Sequence, residues 1–131
     1  MKKRFSKILV TGGAGFIGNY IVSRLLDDSY DVTVIDDFSK GRIENLSIHQ
    51  GKENFHIVRG DIRDFELVKR VMKDVDAVFH EAAFVSIVLS IEDPLLVHEM
   101  NVTSTLNLLK AAVDSNAVSY THLTLPTTPY V

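Results

Sequence analysis

The chain has 131 residues, 46% of them hydrophobic and 24% charged, with a formal net charge of −3 at pH 7. That is the composition of an ordinary globular domain, and without a basic surplus there is no electrostatic reason to expect a nucleic-acid partner. Cysteine is absent, which removes thiol catalysis, disulfides and thiolate metal sites and fits a reducing, cytoplasmic setting.

The lysine- and arginine-rich start mimics the front of a signal peptide, but the apolar run behind it breaks at glycines and offers no cleavage site. Residues 8–23 carry no charge, yet Gly12, Gly13, Gly15, Gly18 and Asn19 make them a poor membrane helix. No membrane association is expected. Lys7 to Thr11 is a short, β-branched apolar run that reads as a strand buried on both faces. Thr11-Gly12-Gly13-Ala14-Gly15-Phe16-Ile17-Gly18 follows, and from Phe16 to Leu26 the residues Ile17, Ile21 and Leu25 fall on one helical stripe with Val22 and Leu26 beside it. In this strand–turn–helix setting, Gly12, Gly15 and Gly18 meet three needs of a dinucleotide-binding turn: a tight bend, close backbone approach to a diphosphate, and close packing of helix on strand. The helix start then favours an anion through its free N–H groups and dipole.

Asp31 to Asp36 reads as a second strand that ends in an acid. It lies about twenty residues past the glycines, where a carboxylate can accept bonds from an adenosine ribose. Asp36 and Asp37 together would repel the 2′-phosphate of NADP, which favours NAD, although Lys40 and Arg42 in the next loop could offer a phosphate site. After a loop at 39–51, Phe55 to Val58 is a third strand. Asp64 caps a helix with Phe65, Val68, Val71 and Met72 at helical spacing, and Asp76 to His80 is a fourth strand. His80-Glu81-Ala82-Ala83 begins like a zinc helix motif, but Phe84 stands where its second histidine belongs, so no metal site is expected. A long last helix begins near Pro94, with Leu96, Val97, Met100, Leu106, Leu109 and Val113 as its expected buried face. Strand and helix alternating throughout predict an α/β, Rossmann-type doubly wound parallel sheet, truncated after about four strands in the spatial order third, second, first, fourth. The outer edge of the fourth strand would be left open.

These residues resemble the extended short-chain dehydrogenase/reductases that act as nucleotide-sugar epimerases and dehydratases, with proteins like UDP-glucose 4-epimerase as the nearest subgroup. The resemblance covers residues 7 to about 117. Thr11 to Gly18 resembles the family's opening signature, and Asp36-Asp37-Phe38-Ser39 its ribose-binding strand end. Gly60-Asp61-Ile62-Arg63-Asp64 is similar to the segment whose Asp61 and Ile62 flank the adenine. His80-Glu81-Ala82-Ala83, followed by Ser86 and Ser90, is similar to the loop passing the nicotinamide ribose, and Asn101 to Leu109 resembles the helix beside the active site, with Ser104 where the family usually has glycine. The resemblance thus implies a cofactor set of Gly12, Gly15, Phe16, Ile17, Gly18, Asp36, Asp37, Phe38, Ser39, Asp61, Ile62, Ala82, Ala83 and Asn101. It also implies NAD as cofactor, a nucleotide-sugar substrate and a homodimer for the full-length parent. Plain structural roles are open to several of these residues: Asp61 capping a turn, His80 packed at a strand end, Asn101 tying helix to strand, Ser86 and Ser90 capping helices.

The family's catalytic tyrosine and lysine, four apart on one helix, are missing: Arg24 follows Tyr20 at that spacing, Val34 follows Tyr30, and Thr124 follows Tyr120. From Val118 to Thr127 the chain departs from the family and resembles one reading frame through a transposon-end adapter used in sequencing libraries. Residues 1–117 are therefore expected to be the N-terminal part of a cofactor domain, inactive alone, and 118–131 a non-native tail. Three functions stay open: the NAD-binding portion of an epimerase or dehydratase, a non-catalytic dinucleotide sensor, and a family dehydrogenase acting on a sterol or other small alcohol.

Overall fold

A computed structural model describes residues 6–115 and the backbone of residues 119–122. In chain order it has β1 (Lys7–Thr11), α1 (Phe16–Asp27), β2 (Asp31–Asp36), a 3₁₀ helix (Ile43–His49), β3 (Phe55–Arg59), α2 (Phe65–Val71) and β4 (Ala77–His80). Then come α3 (Ile87–Glu92), α4 (Pro94–His98), a π turn (Glu99–Thr103), α5 (Ser104–Asp114) and β5 (Ser119–His122). All the strand pairings are parallel, in the order β3-β2-β1-β4-β5. This is the doubly wound α/β sheet expected from the alternation of elements.

The central strands are apolar because both of their faces are covered. Val10 of β1 registers with Val34 of β2 and Phe79 of β4. Alternate residues of β1 then go to opposite sides: Ile8 and Val10 join Val22, Leu26 and Leu46 in one core, while Leu9 joins Val68, Met72 and Leu108 in the other. Helix starts are written into the sequence as well. Asp64 accepts the N–H of Leu67 to begin α2, Ser86 accepts that of Leu89 for α3, and Asp93 accepts that of Leu96 for α4, where Pro94 follows as the first helical residue.

Four details differ from the sequence expectation. The buried stripe of α1 is Gly18, Val22 and Leu26, one position round from the Ile17 stripe; Ile17 is 45% exposed. The inward face of α5 is Ser104, Leu108, Ala111 and Ala112, whereas Leu106, Leu109 and Val113 face outward. Small residues at 104, 111 and 112 let the helix lie close to its neighbours, and a search for large apolar side chains passes over them. The loop at 39–51 contains the 3₁₀ helix, pinned by the fully buried Leu46. Finally, β5 pairs with β4 from Ala77↔Ser119 to His80↔His122, so a fifth strand occupies the edge expected to be open. The native sequence expected after Ala117 and the remainder of the tail lie outside the described residues. Among the described residues, no helix is long and apolar enough to cross a membrane.

Leu108 is fully buried and Leu106 is 62% exposed. Leu108→Ala should therefore cost about 2–5 kcal/mol in urea denaturation, and Leu106→Ala only about 0.5 kcal/mol. Equal losses would contradict the assigned face of α5.

Candidate functional site

At the carboxyl ends of the strands a cleft runs between the glycine turn after β1, the loops after β2 and β3, and the loop after β4. It lies where ligands bind in open parallel sheets. Gly12 adopts φ +67°, and a Cβ there would stand 2.7 Å from the backbone nitrogen of Ala82. At Gly18 a Cβ would overlap the carbonyl of Gly12, so the fold itself requires glycine at both positions. Gly15 differs. It is extended (φ −76°, ψ 178°), the nearest atom to an added Cβ would be the Gly12 carbonyl oxygen at 3.3 Å, and it lines the cleft just before α1.

Phe16 and Ile17 begin α1 with side chains 79% and 45% exposed. What they can offer an anion is their backbone N–H, which has no acceptor within the helix. Neighbouring Ala14 contributes no such donor, because its N–H goes to Asp36 Oδ2 at 3.0 Å.

Asp36, only 8% exposed, is accordingly more than a ribose acceptor. Its other oxygen takes the N–H of Phe38 at 2.8 Å, and Phe38 sits at φ +61° with the Arg59 guanidinium 4.6 Å above its ring. A bulky residue in the left-handed region is a strained position held by its surroundings. Asp37 forms its own turn, Oδ1 accepting from Ser39 N at 2.9 Å and Ser39 Oγ at 2.7 Å. Asp36, Asp37 and Ser39 all line the cleft.

After β3, Asp61 and Ile62 line the cleft too, and Asp61 also has the turn role open to it from sequence. Its Oδ1 accepts the Arg63 N–H at 2.8 Å and its Oδ2 takes two guanidinium bonds at 2.9 and 2.6 Å. Those side-chain bonds hold the Asp61 carboxyl below its ordinary range, against the smaller opposing effect of burial.

On the β4 side, hydrogen-bond direction can be worked out from donor supply. Thr11 Oγ1 accepts the N–H of both Glu81 and Ala82 at 3.1 Å, so its own proton goes to His80 Nδ1, 2.7 Å away. His80 is thereby the neutral Nε2–H tautomer, donating to Thr105 Oγ1 at 2.9 Å, and Thr105 donates in turn to the Asn101 carbonyl. The Asn101 side chain clasps Phe84 from both sides, accepting its N–H at 2.7 Å and donating to its carbonyl at 2.8 Å. His80 is a packed strand-end residue, the structural role open to it from sequence, whereas Asn101 ties the helical segment to the loop after β4 and not to a strand. Ser86 likewise caps α3. Ser90 donates to the Ile87 carbonyl at 2.6 Å.

Of the residues expected from sequence, Gly12, Gly15, Asp36, Asp37, Ser39, Asp61, Ile62, Ala82 and Ala83 converge on the cleft. Phe38 and Asn101 support its walls instead. Lys40, a candidate phosphate contact from sequence, lines it as well, and Glu81, Phe84 and Met100 line it without having been assigned to a cofactor. The usable signal was position: Glu81 and Phe84 follow the carboxyl end of β4. Glu81 carries a buried oxygen with no partner among the described residues, and burial raises its carboxyl above the ordinary value.

Residues 9–125 match the family model described as GDP-mannose 4,6 dehydratase. The UDP-glucose 4-epimerase of Mycolicibacterium smegmatis is 40% identical over 107 residues, 81% of this chain and 34% of that protein. A Thermus thermophilus UDP-glucose 4-epimerase solved in complex with NAD matches with TM-score 0.74 and 39% identity over 85% of this chain and 35% of that one. The dTDP-glucose 4,6-dehydratase DesIV of Streptomyces venezuelae, solved with NAD and TYD bound, gives TM-score 0.80 and 37% identity over 87% and 38%. The chain spans about a third of the length of the first curated relatives, 32% and 34%.

The depressed Asp61 carboxyl has a definite sign. Its ionised form stabilises the fold above the ordinary value of 3.8, and that contribution is lost as pH falls through the lower folded value. Replacing Arg63 by Gln should raise the Asp61 titration midpoint, followed by carboxyl carbon NMR, toward 3.8. An unmoved midpoint would exclude Arg63 as the cause.

Proposed function

The chain belongs to the GDP-mannose 4,6 dehydratase family, and from that premise we propose that it is the NAD-binding portion of a cytoplasmic nucleotide-sugar epimerase or dehydratase. The parent enzyme would oxidise a sugar hydroxyl and return the hydride, as in epimerases of the UDP-glucose 4-epimerase kind, and would work as a homodimer. The outward apolar residues Leu106, Leu109 and Val113 of α5 supply surface for such an assembly. The observation that carries the cofactor assignment is the contrast among the glycines. Gly12 and Gly18 answer to severe contacts inside the fold, whereas a Cβ at Gly15 would meet one tight neighbour, the Gly12 carbonyl oxygen at 3.3 Å, and Gly15 faces the cleft; a ligand whose diphosphate approaches the backbone accounts for a glycine there.

The other residues fit the same molecule. The first N–H groups of α1 would hold the diphosphate. Asp36 and Asp37 would accept the adenosine ribose hydroxyls and repel a 2′-phosphate, which favours NAD over NADP. Asp61 and Ile62 would flank the adenine, and Ala82 and Ala83 would leave space for the nicotinamide ribose. When bound, NAD supplies the hydride chemistry, and the protein's share here is to bind and orient it. No tyrosine and lysine four apart occur in these 131 residues, so this portion binds cofactor without turning over a sugar. The tail from Val118 is non-native on this account.

Calorimetric titration of the chain with NAD should give saturable binding. Gly15→Val should abolish it, with a melting temperature within a few degrees of the parent because Gly15 is in ordinary extended backbone. Undiminished binding by the variant would remove the diphosphate from this turn.

A further inference from the structure

The cofactor assignment above, on which the proposal here rests, leaves one lysine idle. The side chains lining the cleft include four carboxylates, Asp36, Asp37, Asp61 and Glu81, against a single ammonium, that of Lys40. Such a lining is unfavourable for a ligand carrying two phosphates unless a cation offsets it. Arg63 is engaged by Asp61 and Glu99, and Arg59 lies over Phe38. Among the described residues Lys40 forms no ion pair; its recorded contact is with the face of Phe84, 5.4 Å from Nζ to the ring centroid.

That contact spans the cleft. Lys40 stands in the loop after β2, and Phe84 in the loop after β4, with β1 and its glycine turn between them. Both ends are fixed. The chain just after Lys40 is held by the Ala14 carbonyl, which accepts Arg42 N at 3.1 Å and Asn45 Nδ2 at 2.8 Å, while Gly41 lies so close that a Cβ would stand 2.8 Å from Ala14. Phe84 is clasped through its own N–H and carbonyl by Asn101. Lys40 thus reaches from the loop after β2 to the loop after β4, in a cleft that Gly12 and Gly15 of the glycine turn also line.

We propose that Lys40 is a strap over the cofactor cleft: its ammonium exchanges the Phe84 ring for the diphosphate of the bound dinucleotide and is the cationic contact that the helix N–H groups lack. A weak, solvent-exposed ring contact gives way to a charge-assisted bond. Because the Phe84 contact already brings the ammonium across the cleft, the strap closes by a side-chain rotation without moving the loop.

The test titrates wild type, Lys40→Met and Lys40→Arg with NAD, ADP-ribose and NADP by calorimetry, and with adenosine by NMR. Lys40→Met should weaken NAD and ADP-ribose alike by about three- to tenfold and flatten the salt dependence of their affinity. It should leave adenosine unchanged, and Lys40→Arg should retain most of the wild-type affinity. Wild-type affinity for NAD in Lys40→Met would overturn the proposal, as would an equal loss for adenosine. A loss confined to NADP would overturn it too, by assigning the lysine to the 2′-phosphate. A wild-type chain that binds none of these ligands would instead defeat the cofactor assignment and the strap with it.

Discussion

The Asp36 carboxylate is the fixed point of the molecule. Buried at the end of β2, it accepts the Ala14 N–H with one oxygen and the Phe38 N–H with the other. Two segments 22 residues apart are thereby joined through a charge, and charge-assisted bonds in a buried setting are strong. Removal of that carboxylate would leave two backbone donors without their partner. The Ala14 carbonyl extends the same tie to Arg42 and Asn45, so the glycine turn, the strained Phe38 and the 3₁₀ helix are linked through hydrogen bonds. A residue that reads from sequence as a ligand contact is first a structural clamp.

Thr11 performs the matching task on the other side. Its hydroxyl gathers the two N–H groups that follow β4 and passes its proton to His80, and the chain of bonds continues through Thr105 and Asn101 to Phe84. Both walls of the cleft are thus referred to one strand, β1, before any ligand arrives. Preorganisation of this kind lowers the ordering cost of binding. Both ring nitrogens of His80 serve in this network.

The sheet was legible in the sequence because a strand covered on both faces must be a nearly unbroken apolar run, as in Ile8-Leu9-Val10 and Val32 to Ile35. The glycine turn and Asp36 were legible because their spacing is that of a strand–turn–helix–strand unit, in which α1 and β2 return the chain to the same end of the sheet. The inward face of α5 was not, because Ser104, Ala111 and Ala112 are selected for smallness while Leu106 and Val113 are the more conspicuous letters. Leu46 anchors a 3₁₀ helix that leaves no period to detect. The pairing of Lys40 with Phe84, and the clasp of Phe84 by Asn101, depend on the chain crossing the sheet between them, which no local pattern records. β5 is hidden for the opposite reason: its short segment resembles a non-native tail, although its Tyr and Thr suit a strand.

The central claim is that these residues are the front of a nucleotide-sugar enzyme whose catalytic pair lies further along the native chain. The most direct measurement is to sequence the source DNA across the codon for Ala117 and read the native continuation. The account predicts a serine-rich strand followed by tyrosine and lysine four residues apart. A stop codon, the present tail encoded in the genome, or a continuation without that pair would contradict it and leave a dinucleotide-binding domain without the proposed chemistry.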